Sequence, residues 1–131
     1  MPKQAITSER LARPSGHFAQ AVAAPASGRL VFISGMLAKG SDGLLVGPSD
    51  ITAQTRQVCE NLKAAVEAAG GTLEDICRVD VFIRDMKHFP EIHAVRRQYF
   101  TGSPPASTMV EVAGFTHPDA LIEINAIAVV T

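Results

Sequence analysis

The last third of the chain alternates. From Leu121 to Val130, Ile122, Ile124, Ala126, Ala128 and Val130 share one parity, and Leu121, Glu123, Asn125, Ile127 and Val129 share the other. Period two is the signature of a strand whose side chains point to opposite faces. "DICRVDVFIRDM" repeats it: Val79, Val81 and Ile83 alternate with Arg78, Asp80, Phe82 and Arg84. "ASTMVEVA" sorts likewise into Thr108, Val110 and Val112 against Ser107, Met109, Glu111 and Ala113. "RLVFISG" is a short apolar run closed by glycine, which predicts a strand buried on both faces. "HFAQAVAAP" upstream is its expected hairpin partner, with a further strand near Gln4 to Ser8.

Two segments carry helical spacing instead. In "DITAQTRQVCENLKAAVEAAGG", Val58, Leu62, Ala65, Val66 and Ala69 form one stripe, Ser49 or Asp50 caps the start, and Gly70-Gly71 ends it. In "PEIHAVRRQYFTG", Pro90 suits the first turn, Gly102 the end, and Ile92, Val95 and Tyr99 the inward stripe, with Arg96 and Arg97 expected in solvent. "LAKGSDGLLVGPSD", with three glycines and a proline, predicts a loop. The order is β-β-α-β-α-β-β, with helices on one face of a mixed sheet. The other face would lie open, and such faces are commonly buried against copies of the same chain.

Composition narrows the classes. A chain of 131 residues, 47% hydrophobic and 19% charged, suits one globular domain over 1–131. Twelve Lys and Arg against thirteen Asp and Glu leave a net charge of −1, which favours neither a nucleic-acid nor an anionic-membrane partner. No apolar run approaches a membrane span, and the first residues lack a signal-peptide core, so the cytoplasm is expected. Cys59 and Cys77 lack metal spacing and are expected as small buried hydrophobes. His17, His88, His93 and His117 show no metal motif, so neither metal nor cofactor is expected.

"GHFAQAV", "VFISGML", "QTRQVCENLKAAVEAAGGTLEDICRVDVFIRDM", "VRRQYF", "PPASTMVEVAGF" and "IEINAIAV" together resemble the RidA/YjgF family of reactive-intermediate deaminases, also known as L-PSP endoribonuclease-like proteins. The resemblance spans nearly the whole chain. It implies a chorismate-mutase-like α+β domain, three copies closing their sheets into a barrel-like core, and ligand sites in clefts between subunits. It also implies hydrolysis of imines and enamines to keto compounds and ammonia. In the archetype an arginine pairs with the substrate carboxylate and a last-strand glutamate positions water.

This chain departs from that pattern. Ser107 stands at the arginine position, Asn125 at the position matched to the glutamate, Phe18 where a tyrosine is usual, and Met109 where a cysteine is common; Ser34 of "SG" remains. Asn125 and Ser107 are the candidate catalytic residues. Phe18, Ser34, Met36, Thr108, Met109 and Glu123 are the candidate ligand contacts. Asn125 can orient water but cannot take a proton at neutral pH, so Glu123, His17 or His117 stands as a substitute base. Ser107 and Glu111 also have purely structural readings. A neutral hydroxyl binds a carboxylate more weakly than a guanidinium does. A larger or less charged ligand than 2-aminoacrylate is therefore expected, in a divergent deaminase or related hydrolase. The alternative is a non-catalytic small-molecule-binding or regulatory trimer.

Overall fold

A computed structural model describes residues 3–131. Its strands are β1 (Gln4–Ile6), β2 (Ala21–Ala23), β3 (Arg29–Met36), β4 (Ile76–Ile83), β5 (Ala106–Glu111) and β6 (Ile122–Val130). The helices are α1 (Ile51–Ala68) and α2 (Phe89–Tyr99). Four strands form a mixed sheet in the order β3-β6-β4-β5, with β4 and β5 parallel and the other pairs antiparallel.

Both helices cover the same side of this sheet. The parity inferred for β6 is realised: Ile122, Ile124, Ala126, Ala128 and Val130 are buried, and Val79, Val81 and Ile83 of β4 join them. Val58, Leu62 and Val66 of α1 and Ile92 and Phe100 of the α2 region complete one core. Asp50 caps α1, its side chain accepting from Ala53 N at 3.0 Å. Gly70, at φ +89°, terminates the helix where a side chain would be strained. Tyr99 of α2 donates to Glu60 of α1 at 2.6 Å. Cys59 is fully buried, and burial pushes its thiol up to about 12, as suits a packing residue rather than a nucleophile. Among the described residues no helix is long and apolar enough to cross a membrane.

Two expectations are corrected. β2 pairs with β1, not with β3. The segment between them runs instead beside the opposite edge of the sheet, where Ala19 bridges Ala106 and Ala19 N donates to Pro105 O at 3.0 Å. β3 is an edge strand with one open face, not a strand buried on both: Leu30 is 63% exposed and Phe32 73%. An apolar run cannot by itself reveal which face a second copy would cover.

A buried amide ties the loops to the core. Gln54, fully buried, donates to Gly47 O and Asp119 O, both at 3.0 Å, and accepts from Leu121 N at 2.8 Å. It joins the loop before α1 to the turn before β6. Gln54→Leu keeps the volume but strands those backbone groups. Urea unfolding at fixed protein concentration should show a loss of about 2–4 kcal/mol; an unchanged midpoint would show that water replaces the amide.

Candidate functional site

A concavity lies at the C-terminal end of β3. Its volume is about 770 Å³, and it is lined by Gly35, Met36, Leu37, Lys39, Gly40, Ser41, Asn61, Ala64, Ala65, Thr116 and Glu123. Local sequence explains the shape. The β3–β6 register shifts between Ile33 and Met36, so the strand bulges at Ser34-Gly35. Beyond the bulge, Asn61 of α1 donates to Leu37 O and Lys39 O, both at 2.9 Å, and accepts from Gln57 at 2.9 Å. The loop is thereby pinned open over two small α1 residues, Ala64 and Ala65.

Glu123 enters the cleft because residue 35 has no side chain. A Cβ added at Gly35 would overlap the Glu123 carboxylate. The glycine thus holds the backbone against the acid, a close approach that any larger residue prevents. Glu123 and Lys39 are the charged groups lining the cleft, and neither takes part in an ion pair among the described residues. Ser41 and Thr116 supply hydroxyls; Met36, Leu37 and the alanines supply apolar wall. One wall can therefore accept a proton or order water while another excludes it. No group of metal-binding side chains occurs among the described residues.

The sequence candidates fall into four places. Met36 and Glu123 line the cleft, with Ser34 exposed at the adjoining bulge. Asn125 and Thr108 lie in one row on the open face of the sheet, each opposite Asp80. There Arg78 donates to Asp80 at 2.9 Å and to Thr108 at 2.6 Å. Ser107 and Met109 occupy the other face of β5, in register with the buried Val79 and Val81. Ser107 and Asn125 therefore point to opposite sides of the sheet within one chain. Phe18 lines a small cavity of about 190 Å³ with Ile6, Pro14 and Pro104, beside the start of β5. His17 reaches Phe100 O at 2.7 Å, and His117 Nδ1 accepts from Asp119 N at 3.1 Å, so neither histidine enters the cleft of its own chain. Glu111 accepts from Met86 N at 2.9 Å, a structural bond.

Arg96 differs from expectation. It is only 5% exposed, and its Nη2 donates to Ser107 Oγ at 3.1 Å while its Nε has no partner. A guanidinium thus lies beside the serine that stands at the archetypal arginine position. Its place four residues after buried Ile92 was the signal in the sequence. Burial lowers its pKa, with no carboxylate to oppose the effect.

Fold and cleft together define a Rid-type α+β protein with a ligand-sized recess beside a sheet edge. The family model described as Endoribonuclease L-PSP matches residues 7–130, and the chain belongs to that family. A RutC family protein of Pyrococcus horikoshii is 40% identical over 126 residues, 96% of this chain and 97% of its own. The crystal structure of YyfB, a Rid family protein of Yersinia pestis, matches with a TM-score of 0.90 at 33% identity, covering 99% of this chain and 100% of that one. The structure of TdcF from E. coli with bound serine matches with a TM-score of 0.73 at 32% identity, covering 98% of this chain and 99% of that one.

The contact between Gly35 and Glu123 is testable by a double-mutant cycle. Gly35→Ala alone should cost about 1–3 kcal/mol of stability, the usual range for inserting an atom into filled space. In a Glu123→Ala background the same change should cost much less. Equal costs in both backgrounds would show that the two residues do not touch.

Proposed function

We propose that the protein is a divergent Rid-type hydrolase that deaminates an imine, an enamine or a related unsaturated carbonyl metabolite. The observation that carries the reading is a carboxylate, Glu123, without an ion-pair partner among the described residues and lodged against Gly35 in a half-apolar cleft. Of the candidates on β6, Glu123 rather than Asn125 has both the position and the chemistry to act on water. In the proposed reaction its carboxylate takes a proton from water as the oxygen adds to the C=N carbon and passes that proton to the nitrogen, which gives a neutral carbinolamine. The hydroxyl proton of the carbinolamine then passes through the same carboxylate to the amino group, the C–N bond breaks, and ammonia and a carbonyl product leave. No step needs a cofactor.

The cleft suits a ligand larger or less charged than 2-aminoacrylate. Among the described residues, the cation that lines it is Lys39, a flexible point charge rather than a bidentate fork. Serine in TdcF supports the idea that this fold receives small amino-acid-like molecules. A cytoplasmic setting and a small-molecule rather than nucleic-acid partner accompany the reading, in keeping with the net charge of −1.

The site also calls for a second copy. Phe18, Ser107 and Met109 lie at the β5 edge of the sheet, while Ser34, Met36 and Glu123 lie beside the β3 edge. One chain cannot bring the two edges together. Leu30, Phe32, Val110 and Ile127 are all exposed on the open face between them. A homotrimer that covers this face would join the β3 edge of one copy to the β5 edge of the next. Sedimentation should give three times the mass of the chain; a stable monomer would remove the inter-subunit cleft.

The activity test uses imines generated in place by an amino-acid oxidase from bulky apolar amino acids, with carbonyl formation followed against the spontaneous rate. Acceleration should be clear for these and slight for 2-aminoacrylate. Glu123→Gln should lower it by about a hundredfold or more, the usual range for losing an acid-base group, with Asn125→Ala affecting it less. A reaction indifferent to Glu123→Gln would overturn the assignment. Binding without turnover across the series would favour a non-catalytic, ligand-binding trimer.

A further inference from the structure

A second recess, distinct from the cleft, is built from cationic and titratable side chains. It has a volume of about 300 Å³ and is lined by Pro14, Ser15, Gly16, His17, His93 and Arg97. The loop before Phe18 forms one wall and α2 the other. His93 and Arg97 are one turn apart on the helix, so both reach the same recess. The two imidazoles meet edge to face, with ring centroids 6.2 Å apart and planes at 86°. Phe89 stacks on His93 at 5.4 Å and fixes its ring. His17 Nε2 donates to Phe100 O at 2.7 Å, which leaves Nδ1 as the nitrogen free to gain a proton.

Among the described residues, the charged groups that shift His93 are cationic. Burial lowers its pKa first, followed by Arg97, His17 and Arg96. None of His17, His93, Arg96 and Arg97 pairs with an acid among the described residues. An anion in the recess would oppose these effects and favour the protonated His93.

We infer that this recess binds the phosphate group of a small phosphorylated metabolite. Arg97 offers a fork, and His17 and His93, once protonated, offer separate donors around one centre. A carboxylate brings a single charge, whereas a phosphate dianion balances two cations and accepts from three directions. The recess also exceeds the size of a bare phosphate, leaving room for the organic part of a monoester.

The test follows the imidazole C2–H resonances of the intact protein through a pH titration. The titration is done alone and then with inorganic phosphate, glycerol phosphate or acetate. With phosphate or its ester, the His17 and His93 midpoints should rise and both resonances should shift saturably. The monoester should bind at least as tightly as free phosphate, and acetate about tenfold more weakly or less. Arg97→Gln changes an exposed side chain, so folding should be unaffected while phosphate affinity drops about tenfold, as for one charge-assisted hydrogen bond. Histidine midpoints unmoved by phosphate would overturn the inference. So would an Arg97→Gln protein that binds phosphate unchanged, or acetate binding as tightly as phosphate. Turnover in the Glu123 cleft is read separately and decides none of these outcomes.

Discussion

Everything in this fold hangs on the alternation of β6. It lies between β3 and β4 and has one parity fully committed to the helices. The other parity, Glu123, Asn125, Ile127 and Val129, is thereby forced to the opposite face. A one-residue slip would bury an acid and an amide and expose the core isoleucines. Register is therefore strongly fixed, and with it the height at which Glu123 meets the β3 bulge.

The same constraint makes polar groups compatible with an apolar strand. Asn125 sits in a row with Asp80 and Thr108, crossed by Arg78, so the open face carries its own hydrogen-bonding stripe between apolar flanks. Glu123 escapes that stripe only because Gly35 leaves room for it. The bulge, the glycine and the Asn61 clasp on the following loop act together to turn a sheet edge into a recess.

Much of this was legible in the sequence because it depends on periodicity. The helical stripes, a cap at Ser49 or Asp50, the parities of β4 and β6 and the α+β class follow from local spacing. What escaped depends on contacts between distant segments. The pairing of β2 with β1 could not be read because three-residue strands carry too little pattern. The burial of Arg96 was hidden by its charge, although its spacing from Ile92 placed it on the inward side. Ser107 and Asn125 were joined by the family resemblance, yet strand parity assigns them to different faces. Glu123, weighed as a contact, gains its importance from Gly35, a relation that spans 88 positions of sequence and is written in no motif.

The proposed chemistry is centred on Glu123 in the cleft beside β3. The most direct measurement is a crystal structure of the assembled protein with a bulky keto product bound. The product is expected against Gly35 and Met36, its carbonyl carbon within reach of the Glu123 carboxylate through one water. Product bound instead along the Asp80–Asn125 row, with the cleft empty, would contradict it.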